Sequence, residues 1–277
     1  TVDLLRSFFL SKGFLEVHTQ NRLSILAACE DPETVATYEY NGEVWPLPQT
    51  GQMWLEYELL TKPDLQGCYC VSTSYRQEQN PTEGRHELIF PMFEFEAPGD
   101  FNDLLQMEND LCKFLGFTCD HGRAPYNDLD FPGGMYDGLR AKYTADELEA
   151  RHEEDLYNEY GDVFFLTKFP EYTSPFWNMK MDGESASGDR LANKCDVIMG
   201  GMETIGSAER ATDVDEMRNQ FYTISDGGYA DLLFNLFGKE RVEAELDEFL
   251  KHNFISRFGG GIGVTRMISA MKRAKLI

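Results

Sequence analysis

Basic residues are scarce in this chain: 25 Lys and Arg stand against 48 Asp and Glu, a net charge of −23 over 277 residues. A surface so acidic repels phosphate backbones unless its cations are gathered locally, which disfavours broad nucleic-acid binding. Cysteine is sparse too. The six (Cys29, Cys68, Cys70, Cys112, Cys119 and Cys195) have neither the density of a disulfide-stapled secreted scaffold nor a paired C-x-x-C zinc knuckle. Reduced thiols in a cytoplasmic protein are the expectation. No apolar run approaches the roughly eighteen residues of a membrane span, and Thr1 opens directly into an amphipathic pattern, so neither a spanning helix nor a signal peptide is predicted. Repeats and low-complexity tracts are absent as well. What is present, 42% hydrophobic and 13% aromatic residues, suffices for a large core. One α+β domain spanning residues 1–277 and built on an antiparallel sheet is the economical expectation.

Periodicity supplies the elements. Val2 to Lys12 has helical spacing with Gly13 as its stop, followed by a strand over Phe14–Val17. Short strands are predicted at Thr37–Tyr40 and Val44–Leu47, a helix over Gly51–Leu60, and strands at Cys68–Tyr75 and Leu88–Glu96. Asp103–Leu115 is helical, with Asp100 or Asn102 as a cap. Residues 120–138 are expected as a loop, and Thr144–Tyr160 as a charged helix opened by Thr144 with Glu147 in a capping box, together an insertion over about 120–160. Strands at Val163–Leu166, Asp196–Met199 and Met202–Ile205 precede a helix over Arg241–Lys251. Phe258–Val264 and an apolar helix end the chain.

Three groups of residues carry chemistry. Arg76, Glu78, Arg85 and His86 fall between two predicted strands, with Phe90 and Glu94 further along, so a hairpin folds them towards one site. Two guanidiniums and an imidazole beside an aromatic ring suit a triphosphate and a purine without a P-loop. The plain alternative is a solvated charge pair. Phe258-Gly259-Gly260-Gly261-Ile262-Gly263-Val264-Thr265-Arg266 joins a strand to a helix and lets backbone approach a ligand, though such a loop also makes a simple turn. A Rossmann assignment fails for want of a following βαβ unit. Asp196 and Glu203, with Arg210 seven residues further, offer hard oxygen donors for Mg²⁺ beside arginine. In a chain with 48 acids any such pair is also an ordinary surface pair.

In order along the whole chain, these pieces resemble the three motifs of class II aminoacyl-tRNA synthetases. Phe8-Phe9 with Gly13-Phe14-Leu15-Glu16-Val17 resembles motif 1. Arg76-x-Glu78, Arg85-His86, Phe90 and Glu94 look like motif 2, and Gly261 to Arg266 looks like motif 3. Thr50-Gly51-Gln52, Pro175-Phe176-Trp177 with Met179, and Asp196…Glu203…Arg210 are similar to the aspartyl and asparaginyl group, which includes the asparagine-synthetase-like paralogues. The resemblance implies an antiparallel sheet flanked by helices, a homodimer, and ATP and Mg²⁺ as cofactors. It assigns Arg76 to the α-phosphate, Arg85, His86 and Arg266 to the β/γ end, and Phe90 and Arg266 to adenine, with Glu78 and Gly263 also lining the ATP site. Asp196 and Glu203 would hold Mg²⁺, Glu30 and Gln52 the ammonium group of the amino acid, Arg210 its side-chain carbonyl, and Gly261 its floor.

Departures sharpen the substrate. Aspartate-binding relatives tend to carry a lysine where this chain has Leu55, so the pocket is expected to favour the neutral amide of asparagine over aspartate. Thr19-Gln20 stands where motif 1 usually has a proline, and Thr265 replaces an acid. With the net charge, and no anticodon-binding module expected in the chain, an adenylating enzyme whose acceptor is not tRNA is the leading reading. An ammonia-dependent asparagine synthetase, a genuine aspartyl or asparaginyl tRNA ligase core and a non-catalytic paralogue are its alternatives.

Overall fold

The computed structural model of the chain describes residues 1–19, 23–25, 34–78, 87–119 and 125–277. Helix α1 (Val2–Ser11) buries Leu5, Phe8 and Phe9, and Gly13 ends it at φ +82°, a left-handed turn that glycine makes without strain. Strand β1 (Leu15–Glu16) follows, then a separate ribbon of β2 (Thr37–Tyr40) and β3 (Glu43–Pro46). Helix α2 (Gln52–Thr61) leads into β4 (Cys68–Tyr75) and β5 (Ile89–Pro98). Helix α3 (Phe101–Phe114) is opened by the predicted Asp100, which accepts from the Asn102 and Asp103 amides while Asp103 reaches back. That reciprocal cap satisfies amides the helix cannot.

Next come β6 (Gly133–Met135), α4 (Tyr136–Tyr143), α5 (Ala150–Tyr160), β7 (Val163–Pro170), β8 (Met181–Glu184), β9 (Arg190–Met199) and β10 (Met202–Glu209). Helices α6 (Val214–Thr223), α7 (Gly228–Phe237) and α8 (Lys239–Phe249) precede β11 (Arg257–Gly263) and α9 (Val264–Arg273). The main sheet has nine strands in the order β1-β4-β5-β11-β10-β9-β7-β6, with β8 also on β9. Its centre is antiparallel, as expected, and both edges are parallel pairs, β1 with β4 and β6 with β7.

One face of this sheet is sealed by α1, α3 and α9 around Phe9, Phe93, Phe95, Leu111, Val197 and Met267. The other carries α4 and α5 at its β7 and β9 end, where Leu156 packs with Leu166 and Ile198. Helices α6, α7 and α8 form a second core around Trp177 and Phe221. Between them lies the stretch of this face that carries Glu94, Glu96 and Asp196.

The sequence expectations change at two places. The stretch from Thr144 to Tyr160 is not one helix: Thr144 closes α4 at φ +54°, and α5 is capped by Glu149 with His152 at the third position. Thr144 and Glu147 have the spacing of a capping box, but the reciprocal bonds belong to Glu149 and His152. The expected loop over 120–138 also ends early, because residues 133–138 form β6 and the first turn of α4.

Candidate active site

Strand register builds the site. Residues facing one another across a ladder project to the same side, so the pairings define rows across the open face. One row runs Cys70, Glu94, Gly261, Gly206, Asp196, and the next Cys68, Glu96, Gly259, Ala208, Lys194. Glycine or alanine fills the middle of each row. The strip of backbone there carries almost no side chain, a trough between Glu94 and Glu96 on one side and Asp196 and Lys194 on the other.

Glu94 is fully buried in the near wall and accepts from the Thr50 and Ser72 hydroxyls and, at 2.8 Å, from the Gly51 amide. Burial raises its pKa, and these donors pull the other way. It therefore fastens the start of α2 to the sheet. Helix α2 then sends Gln52 and Glu56, four residues apart, to the same place.

Glu96 crosses over Gly259, where a Cβ would fall inside its carboxylate. It meets the buried Arg210, whose Nε donates to Glu96 Oε1 at 3.1 Å and whose Nη2 donates to Gln52 Oε1 at 2.6 Å and also to Glu96. Glu56 Oε1 lies 3.9 Å from Arg210 Nε and accepts from Asn178 at 2.7 Å. Glu56 Oε2 takes both Arg257 Nε, at 3.0 Å, and Nη2, at 2.7 Å. Two guanidiniums thus balance two carboxylates in a buried, neutral cluster. Burial lifts Glu96 to about 7, with Arg210 opposing and Glu56 adding to the rise. Two buried atoms at its edge, Gln52 Nε2 and Glu96 Oε2, have no hydrogen-bond partner among the described residues. A buried donor and acceptor left so are costly unless a ligand completes them. Gln52 Nε2 lies 3.2 Å from the Cβ position of Gly261, so both atoms border the trough.

In the far wall, Lys194 Nζ lies 2.7 Å from Asp196 Oδ2 and 3.8 Å from the Phe169 ring centroid. Asp196 is 6% exposed, and burial raises its pKa to about 7, against the pull of Lys194 and with a push from Glu203. Arg266, at the start of α9, donates to the Glu203 carbonyl at 2.8 Å and lies 3.9 Å from its carboxylate. A cleft of about 400 Å³ opens here, where Lys194, Asp196 and Glu203 face His152, Glu153 and Tyr172.

The hairpin group is partly assembled. Arg76 stands 5.5 Å above the Phe90 ring and 4.0 Å from Glu78. Gly263 pairs with Met92, two residues past Phe90, which puts the start of α9 beside that ring. Arg85, His86 and Glu30 lie outside the described residues.

The Gln52 carbonyl oxygen is taken by Arg210, which leaves its N–H₂ group and Glu96 Oε2 as the donor and acceptor without a hydrogen-bond partner among the described residues. Leu55 packs with Leu59, Cys68 and Cys70 in an apolar cluster, and it is Glu56, one residue on, that reaches Arg210. Glu56, Glu96 and Arg257 went unread in the sequence because nothing local distinguishes them from the other charged residues. The glycines opposite Glu96 were the one available hint.

The carboxylates suit a hard cation. Asp196 Oδ1 is buried without a hydrogen-bond partner among the described residues, and Glu203 faces the same cleft. No cluster of three or more His, Cys, Asp or Glu able to hold a metal occurs among the described residues. Phosphate oxygens would have to complete a Mg²⁺ shell, as is usual for that ion.

A mixed sheet flanked by helices, with a strip of glycines ending at an arginine on α9, is the architecture of a class II synthetase catalytic core. The chain belongs to the family of class II tRNA synthetases for D, K and N, which matches residues 1–277. It is 25% identical over 293 aligned positions to the asparagine–tRNA ligase of Pelotomaculum thermopropionicum, covering 95% of this chain and 62% of that protein. It is 22% identical to the aspartate–tRNA(Asp) ligase of Pyrobaculum aerophilum, covering 96% and 61%. Among solved structures, asparaginyl-tRNA synthetase from Pyrococcus horikoshii complexed with asparaginyl-adenylate superposes with a TM-score of 0.73 at 22% identity, covering 97% and 62%. The Entamoeba histolytica enzyme in complex with asparaginyl-adenylate gives 0.73 at 19%, covering 100% and 64%. The chain thus spans about three fifths of these relatives.

Proposed function

We propose that the chain activates asparagine with ATP, forming asparaginyl-adenylate and pyrophosphate. The observation that carries this reading is the neutral Arg210–Glu96–Glu56–Arg257 cluster with its unfilled donor and acceptor at Gln52 Nε2 and Glu96 Oε2. An α-amino acid brings both complements, an ammonium for Glu96 and an oxygen for Gln52. At its far end a β-amide presents a carbonyl to Arg210 and an N–H₂ to Glu56. A β-carboxylate would instead face Glu56 as a like charge.

Arg76 leaves the Phe90 ring for the α-phosphate, and adenine takes its place between Phe90 and Arg266. The amino-acid carboxylate then attacks the α-phosphorus in line. The bond to the bridging oxygen breaks, and its electron pair leaves with pyrophosphate. No protein nucleophile is needed, because positioning and fixed charge carry the step. Mg²⁺ held by Asp196 and Glu203 supplies neutralisation of phosphate charge. Glu78 steadies Arg76, while Gly261 and Gly263 keep the trough clear for the ligand.

For the acceptor, the net charge of −23 favours a small amine over a polyanionic tRNA. Chain association into a homodimer and a cytoplasmic setting belong to the same proposal. Pyrophosphate exchange across a panel of amino acids tests activation before acceptor. Asparagine-dependent exchange is expected. Exchange with aspartate but not asparagine would move the reading to an ammonia-dependent asparagine synthetase, and exchange with neither would overturn activation.

A further inference from the structure

Lys194 is a departure of chemistry inside the trough: a cation stands in the very wall where a divalent metal is to bind. It projects from the same face of β9 as Asp196, two residues on, and its side chain is 20% exposed against 9% for Asp196. Its ammonium is fixed from two sides, by Asp196 Oδ2 at 2.7 Å and by the Phe169 ring at 3.8 Å. A pair this shielded is not a transient surface contact, since screening by water and salt is weak there. Asp196 has one oxygen committed to Lys194 and the other, Oδ1, buried without a hydrogen-bond partner among the described residues.

We infer that Lys194 is a built-in counter-ion of the Asp196–Glu203 wall, which competes with the divalent cation and sets how weakly the free protein holds it. This rests on the assignment of those two carboxylates to Mg²⁺ under the proposed function. The ammonium offsets the charge of Asp196 before any metal arrives and stands as a like charge beside the incoming ion. The consequence is a site that gains a firmly held divalent ion only when nucleotide phosphates add their own oxygens. Metal and nucleotide then arrive together.

The test uses Mn²⁺ alone, titrated into the protein without nucleotide and followed by the electron paramagnetic resonance signal of the free ion. Wild type is expected to bind it weakly. Lys194→Met, which keeps the apolar stem against Phe169 but loses the charge, is expected to bind roughly tenfold more tightly, the scale on which one nearby charge acts in a partly buried site. Lys194→Arg keeps the charge and should stay near wild type, and adding Asp196→Asn to Lys194→Met should remove the gain. Equal affinity of wild type and Lys194→Met, or a gain that survives Asp196→Asn, overturns the inference. Because no nucleotide or amino acid is present, failure here is separate from failure of activation, which pyrophosphate exchange by wild type reads.

Discussion

Replacing Glu56 by Gln should turn an asparagine-selective pocket towards aspartate. Two unit charges about 4 Å apart interact by about 4 kcal/mol at an effective dielectric of about 20, and the Glu56 oxygen lies 3.9 Å from the guanidinium that would grip the substrate side chain. A β-carboxylate seated on Arg210 lies further from Glu56 than the guanidinium does and feels a fraction of that magnitude as repulsion. Arg257 bonds the other Glu56 oxygen twice, at 3.0 and 2.7 Å, and offsets part of it. A net bias of about 1.5–3 kcal/mol remains, so the variant should lower the asparagine-to-aspartate ratio of kcat/KM by about tenfold to a hundredfold. The same change leaves Arg257 facing a neutral amide, and breaking a buried pair in this way costs about 3–5 kcal/mol of stability. Pairing Glu56→Gln with Arg257→Met restores the charge balance and recovers stability while keeping the shifted selectivity. Pyrophosphate exchange with each amino acid, at a temperature where circular dichroism shows the variant folded, gives the ratio. A folded variant whose ratio stays within twofold of wild type would refute the charge argument.

Arg76→Ala and Arg266→Ala should each cost about 2–4 kcal/mol in the activation step, the scale of a lost preorganised charge, and wild-type exchange rates in both would remove the phosphate and adenine assignments. Glu108 on α3 is fully buried beneath the sheet near Ser207 and Cys195, and burial lifts it from an ordinary carboxylic acid to about 8. Since the folded state holds this proton more tightly than the unfolded one, stability should fall as pH rises from about 4.5 to about 8; Glu108→Gln should raise Tm at pH 8–9 and leave it little changed at pH 5, and parallel curves would show that Glu108 does not titrate there. Leu55→Lys should lower Tm sharply, because an ammonium among Leu59, Cys68 and Cys70 has no partner in that cluster, and a variant as stable as wild type would mean that the side chain turns out of it.

How far these features could be read in advance depended on whether their cause is local. A helix from Val2, a cap at Asp100 or Asn102 and two strands on either side of Arg76 follow from spacing alone, and the structure has α1 over Val2–Ser11, the cap at Asp100 and β4 paired with β5. The α6–α7 pair went unforeseen because its joint is a kinked turn in which Ser225 and Asp226 take left-handed backbone, an arrangement no apolar period announces. Strand β9 was read only from Asp196 onward, since Arg190, Asn193 and Lys194 make its first half look like a polar loop. Those polar residues find partners in the fold instead: Asn193 donates to Glu209 on the neighbouring β10, and Lys194 reaches Asp196 along its own strand.

Register explains why the site was half visible. Gly259, Gly261 and Gly263 alternate, and alternation in a strand means one face, so a strip of backbone without side chains follows from sequence by the rule that periods of two mark sheet faces. What borders the strip does not. Glu96 and Lys194 share a row with Gly259 only because β5, β11, β10 and β9 pair in one register, and a slip of one residue would send both to the opposite side. The side chains proposed to discriminate between substrates, Glu56 and Arg257, are 201 residues apart and meet through a helix laid across that same face. Function here is therefore read by asking which residues the glycines make room for: at Gly259 the answer is the carboxylate of Glu96, and through it the guanidinium of Arg210.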